Sequence, residues 1–374
     1  KIQLPYIPDY SEHVFMMYPI VLKKEIIDNR NGIQKVELVN YLEQNGIETR
    51  DVVAQVGEFG RLRVCVVGDL IVDEYITCDP LGMSQEDPTI VVAPVDRQRF
   101  LGGAGVVAAH AAGLGAEVNF LSVSGNDETR DYAESELLSS GVSAELLSDD
   151  TRPTTLKQRF RANGVTLLRV THFHQASIDS DLQDQLYQRF DRLVSRCQLL
   201  VFSDFNYGCL PQLLVDRIIG RAQEAKIMIA ADSQCSSQIG DVSRFQGMDL
   251  LTPTEHEARL SLRNHEDGLV VLAEKLRVKS GARNIVVKLG AEGALLHIRG
   301  DDQQFHTDRI PELNSSPRDV AGAGDSFLIS SAMAMAVGAS PWEAAYIGSA
   351  AAAVQVSRIG NIPLSQTDLI SEAV

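Results

Sequence analysis

The sequence predicts an α/β fold: a doubly wound, mainly parallel sheet with helices on both faces, and a small second β-sheet projecting as a lid. Three observations carry this. From Arg61 onward, short apolar runs alternate with segments of helical period. Several of those runs stop at an acid, glycine or proline, as strands do where they enter functional loops. Two regions, 75–100 and 153–172, break the alternation with β-prone stretches such as TIVVAPV (89–95) and LLRVTHF (167–173).

The expected strands of the main sheet are VCVVGD (64–69), VNFLSV (118–123), LLVFSD (199–204), IMIAAD (227–232), DLLTP (249–253) and NIVVKLG (284–290). Each is short and almost wholly apolar, the mark of a strand covered on both faces. Helices are expected over 103–114, 129–139, 179–196, 211–225, 254–262 and 268–280. A late helix should run from Asp325 to about Val337 and stop at Gly338. The next opens at SPWE (340–343), where serine caps, proline takes the first helical position and glutamate completes a capping box. Sheets of this kind bind ligands beyond the carboxyl ends of their strands, so Asp69, Asp204, Asp232 and Pro253 should share one rim.

At 374 residues the chain is longer than one core usually grows, which suggests a large domain, 61–374, with an appendage, 1–60. Hydrophobic residues make up 44% and charged residues 22%, as in ordinary globular proteins. No apolar run is long enough to span a bilayer, and no leader-like segment opens the chain, so a cytoplasmic location is expected. A net charge of −16 argues against nucleic acid as a partner. The five cysteines lack metal or redox spacing and read as reduced packing thiols. His172 and His174 alternate on an expected strand without a third ligand at a suggestive spacing, and read as ordinary lid residues.

The strongest chemical signal is Ala321-Gly322-Ala323-Gly324-Asp325, directly before the apolar helix FLISSAMAMAV. Small residues at a helix start leave backbone N–H groups bare at the positive end of the helix dipole, a ready anion site. An aspartate beside it can take a proton from an attacking hydroxyl while the amides hold charge on a transferred phosphoryl group. Read alone, the same aspartate could equally be a helix cap. Upstream, LGGAGVVAAHAAGLGA (101–116) is a glycine pair, Gly102 and Gly103, running into a small-residue helix.

Taken in order with GDLIVDEY (68–75), these stretches resemble the ribokinase-like (PfkB-type) carbohydrate kinases over about residues 62–370. Within that family the likeness is greatest to bacterial kinases that phosphorylate a heptose phosphate. The hairpin GMSQEDPTIVVAPV (82–95) resembles their lid, and TTLKQRFRANGVTLLRVT (154–171) their next segment. The resemblance implies ATP and Mg2+ as cofactors and a sugar or sugar phosphate as acceptor. It makes Asp325 the general base and Gly322, Ala323 and Gly324 the anion hole. It places Asp69, Asp73, Gly102, Gly103, Lys157, Arg159 and Arg169 at the acceptor, and Asp232, Lys288, Gly290 and Gly293 at the nucleotide. Glu257 would orient Mg2+ through water, and Asp319 would help hold a monovalent cation such as K+.

Three positions depart from the family pattern. Val106 stands where a substrate asparagine is usual, Thr254 replaces the asparagine before Glu257, and Tyr207 stands where the heptose-phosphate kinases tend to have lysine. Residues 12–53 carry no kinase signature and resemble the last part of DegT-type sugar aminotransferases, without a cofactor lysine. That likeness implies a piece of a longer fusion of a sugar aminotransferase with a sugar kinase. Strand edges in the lid suggest a homodimer joined through the lids.

Overall fold

A computed structural model describes residues 38, 40–234, 240–300, 304–314 and 316–373. Its main sheet has nine strands. In chain order they are β1 (Arg63–Gly68), β4 (Glu117–Ser124), β5 (Val142–Ser148), β8 (Leu199–Asp204), β9 (Met228–Ser233), β10 (Leu250–Leu251), β11 (Asn284–Lys288), β12 (Ala294–Arg299) and β13 (Phe305–Ile310). In space they run β13-β12-β11-β10-β9-β8-β1-β4-β5. Only β12 and β13 join antiparallel, at one edge. The remaining strands β2 (Leu70–Met83), β3 (Ile90–Gly103), β6 (Thr155–Ala162) and β7 (Val165–His172) form a separate sheet in the order β3-β2-β6-β7.

The apolar runs become strands because the pleat gives each face something to bury. Along β1, Val64 and Val66 enter one core cluster while Cys65 and Val67 enter the other. On β8, Leu199 and Val201 part in the same way from Leu200 and Phe202. The first cluster packs the helices Ala104–Gly113, Ala323–Ala336 and Pro341–Val356 against the sheet; the second packs Ser180–Val194, Gln212–Ala225 and Leu269–Ser280. Ser340 and Glu343 form the expected capping box. Cys65, Cys78, Cys197 and Cys209 are buried free thiols, and Cys235 lies outside the described residues.

Three corrections to the expected organisation follow. The lid strands begin earlier and end later than 75–100, because residues 70–76 are buried under the helix Ala104–Gly113 before β2 emerges to solvent. Edge strands β5 and β13 carry interleaved polar residues on half-covered faces, so no continuous apolar run announces them. Residues 41–59, read as part of an appendage, belong to the main core: Tyr41, Ile47, Val52, Val56 and Phe59 are buried within the first cluster, and the Tyr41 hydroxyl donates to the Trp342 carbonyl (2.7 Å). The segment 12–25, on which much of the aminotransferase likeness rests, lies outside the described residues. No helix among the described residues is long and apolar enough to cross a membrane.

Candidate active site

The helix Ala323–Ala336 is buried around most of its circumference, which its all-apolar and small composition permits. Gly322 precedes it in the left-handed region (φ 75°), turning the chain so that the first helical amides face outward; a methyl group there would stand 2.5 Å from Asn361 Oδ1. The Ala323 N–H makes a long bond to the Val320 carbonyl (3.5 Å), and the first α-helical bond runs from the Ser326 N–H to the Gly322 carbonyl (2.9 Å). Among the described residues, the amides of Gly324 and Asp325 have no backbone acceptor. Gly322, Ala323, Gly324 and Asp325 all line a cleft of about 470 Å3. The turn is open to a ligand.

Asp325 is 5% exposed, and its Oδ1 accepts from Gln234 Nε2 (3.0 Å). Burial, with the nearby charge of Asp232, pushes its carboxyl up to about 7 against the opposing pull of Lys288 and Lys157. A carboxyl poised there can both take and return a proton near neutrality. Asp232, at the end of β9, does not line the cleft. It sits behind the turn, where Oδ2 takes the Lys288 ammonium at 2.5 Å and Oδ1 is buried without a partner. Burial raises its carboxyl to about 7 as well, with Lys288 opposing and Glu257 adding to the rise.

At one end of the cleft the lid sheet supplies Asp73, Lys157 and Arg159, adjacent in register across β2 and β6. Arg159 Nη2 meets Asp73 Oδ1 (3.3 Å), and Asn361 Nδ2 meets Asp73 Oδ2 (3.2 Å). The Lys157 ammonium lies over the rings of Phe205 and Tyr207 at 4.8 and 5.2 Å. Tyr207, one of the departures, is therefore an aromatic shelf beneath the lid lysine. Gly103 lines the cleft. Gly102 does not, but leaves room for Asp73, whose Oδ2 a methyl group there would meet at 2.4 Å.

At the opposite end Lys288, Gly290 and Gly293 line the cleft with Pro311 and Ala353, an apolar slot suited to a flat ring. Glu257 also lines it; its Oε2 accepts the Thr254 N–H (2.7 Å) while the Thr254 hydroxyl accepts the Glu257 N–H, a reciprocal cap. Thr254 thus caps this helix, a place that an asparagine could fill as well.

Besides Asp232 and Gly102, three expected site residues stand outside the cleft: Asp69, Arg169 and Asp319. Asp69 is buried outside the cleft, and its carboxylate accepts the backbone N–H groups of Phe205 (2.8 Å), Tyr207 (3.4 Å) and Cys209 (3.2 Å). Its task is to hold the loop that carries the aromatic shelf. Val106 is packed in the first core cluster, so the absent asparagine leaves apolar packing. Arg169 lines a second, neighbouring pocket of about 230 Å3, together with Arg159, Arg161 and Arg318. Asp319 lines that pocket too, and three donors already hold its carboxylate: the Tyr75 hydroxyl (2.7 Å) and the N–H groups of Ala321 (3.1 Å) and Gly360 (3.1 Å).

Gln234 and Asn361 join the site without a signal of their own. Gln234 lies two residues past the strand-end Asp232, the one hint that it would reach the cleft; Asn361 follows the penultimate helix in no recognisable motif.

The pfkB family carbohydrate kinase pattern matches residues 61–368. The chain belongs to that family. Its curated relatives include the bifunctional protein HldE of Nitratiruptor sp., 30% identical over 80% of this chain, and that of Desulfatibacillum aliphaticivorans, 29% identical over 83%. The chain spans 62% and 63% of those two proteins' lengths. Among solved structures it is similar to Arabidopsis thaliana ribokinase complexed with ribose and ATP (TM-score 0.64, 19% identity, 83% of this chain and 98% of that one). It is likewise similar to the tetrameric inhibited form of phosphofructokinase-2 from Escherichia coli (TM-score 0.66, 19% identity, the same coverage). These neighbours share the ribokinase-like fold of this pfkB kinase: the large, mostly parallel sheet flanked by helices, with a small sheet beside it.

Proposed function

We propose that this pfkB-family kinase transfers the γ-phosphoryl group of ATP to a hydroxyl of a sugar or sugar phosphate, a heptose-phosphate-like acceptor being favoured. The carrying observation is a buried carboxyl, Asp325, beside open amides on the wall of one cleft that also holds Asp73, Lys157 and Arg159. The acceptor hydroxyl gives its proton to Asp325 as its oxygen bonds to the γ-phosphorus and the bond to the leaving ADP oxygen breaks. The 321–324 turn meets the charge that develops on the phosphoryl oxygens. Asp73, Gly103, Lys157 and Arg159 hold the acceptor, and the slot at Gly290 and Gly293 takes the nucleotide.

Magnesium carried by nucleotide phosphates needs only one or two protein carboxylates, and Glu257, fixed by its cap and facing the cleft, suits that use through water. The ion would offset phosphate charge. The neighbouring arginine pocket supports a phosphorylated acceptor, since guanidinium groups match phosphate in shape and charge.

ADP release measured over hexoses, heptoses and their phosphates should be fastest with a phosphorylated acceptor. If no acceptor yields ADP, the reading falls and the chain is a nucleotide- or sugar-phosphate-binding module. The lid also exposes Leu81, Met83, Ile90, Val95, Val165 and Leu168, and β3 and β7 leave open edges. A homodimer through the lids is the expected assembly. Light scattering should give twice the monomer mass, and Leu168→Asp should halve it; a monomeric wild type would refute this.

A further inference from the structure

Beneath the anion turn lies a cation that the scheme above leaves unused. A methyl group built on Gly324 would stand 3.0 Å from Lys288 Nζ and 3.9 Å from Asp232 Oδ2, so the ammonium lies directly against the residue whose amide opens the turn. Lys288 also lines the cleft, with its side chain 13% exposed. Its position is enforced: β11 carries it, an isolated bridge pairs it with Thr254, and Asp232 at the end of β9 anchors the ammonium at 2.5 Å.

We propose that Lys288 is a catalytic residue, its ammonium reaching the transferring phosphoryl group from below while the Gly324 and Asp325 amides hold it from the side. The inference rests on the kinase reading and extends it. Burial alone would favour a neutral amine, but Asp232 and Glu257 outweigh it and keep the group charged. An ammonium has three donors and Asp232 engages one of its carboxylate oxygens, so donors remain for a phosphoryl oxygen. Fixed positive charge in a site closed to water acts on transition-state charge without reorganisation. Thr254 and Glu257 are committed to each other's backbone, so Lys288 brings positive charge to this wall from the protein itself.

The test uses Lys288→Met and the double variant Lys288→Met/Asp232→Asn; the latter removes the cation without stranding a buried carboxylate. Thermal shift is followed with ADP–Mg2+, then with aluminium fluoride added as a mimic of the transferring phosphoryl group. Wild type should gain stability from both additions. The variants should respond to ADP as wild type does yet lose the further gain from aluminium fluoride, and turnover should fall about 100-fold or more. A folded double variant that keeps the aluminium fluoride gain, or turns over within about tenfold of wild type, overturns the assignment while leaving the kinase reading intact. A wild type that does not respond to ADP removes the kinase reading, and this inference with it. If neither variant folds, the wild type decides: the 15N resonance of Lys288 Nζ must move on adding aluminium fluoride to the ADP complex, and an unmoved resonance refutes the contact.

Discussion

Asp325→Asn should lower kcat by about 10²–10⁴-fold, the usual contribution of a positioned general base, while nucleotide and acceptor affinity stay within a few-fold of wild type. The amide preserves shape and can still accept from Gln234 at the 3.0 Å contact, so the loss reads out proton transfer and not collapse of the cleft. Wild-type kcat/KM should fall about tenfold per pH unit below about 7, where burial and Asp232 place the titration of this carboxyl. The residual activity of the variant should lack that limb. Stability should move the other way. A carboxyl lifted from the ordinary carboxylate range to about 7 binds its proton more tightly folded than unfolded. Its stabilising contribution is therefore complete below about pH 4 and lost as pH rises through 7. The uncharged amide of the variant escapes that loss. At pH 8 the variant should melt several degrees above wild type, and at pH 4 the two should melt together. Undiminished turnover would remove Asp325 as the base.

Gly324→Ala should separate fold from function even more sharply. The residue sits in the first turn of the helix Ala323–Ala336 with an ordinary negative φ, and alanine is the better helix former there by about 0.5–1 kcal/mol. The new methyl group meets the end of Lys288, Nζ at 3.0 Å, which must yield by a few tenths of an ångström, and reaches ordinary contact with Asp232 Oδ2 at 3.9 Å. The melting temperature should hold or rise slightly. Yet the methyl group occupies the recess where amide and ammonium converge, so a phosphoryl oxygen is kept off both. Turnover should fall about 100-fold, on the scale of losing one oxyanion donor. A variant with near-wild-type turnover would show that phosphoryl transfer happens elsewhere in the cleft.

The sequence discloses the parts of this molecule that are written in local chemistry. Buried parallel strands read as unbroken apolar runs, and the 321–325 turn announces itself because bare amides require small residues. Residues 64–67 need no tertiary context to be read as a strand. What escapes detection depends on who stands opposite. Asp69 has the look of a substrate acid at a strand end, but three backbone amides from residues 205–209, over a hundred positions away, claim it. Asp319 matches a cation-binding position of the family, and nothing local reveals that Tyr75 donates to it from the lid. Asn361 reaches Asp73 across 288 positions with no pattern around it. Residues 41–59 look detachable because their apolar positions are sparse, and only the apolar surface left open by Pro341–Val356 and Gln366–Ala373 shows what they cover.

Strand β2 starts at Leu70, directly after Asp69 and two residues past the end of β1, and runs to Met83 with register shifts at Thr77/Cys78 and Pro80/Gly82. The cover of this enzyme is thus the far half of a ribbon whose near half is rooted in the core. The two irregularities, placed where the strand emerges to solvent and just beyond, are the natural points of flexure in that ribbon. Asp73 and Tyr75 stand on the rooted half, where Tyr75 is tied through Asp319 to the amide of Ala321 at the glycine-rich turn.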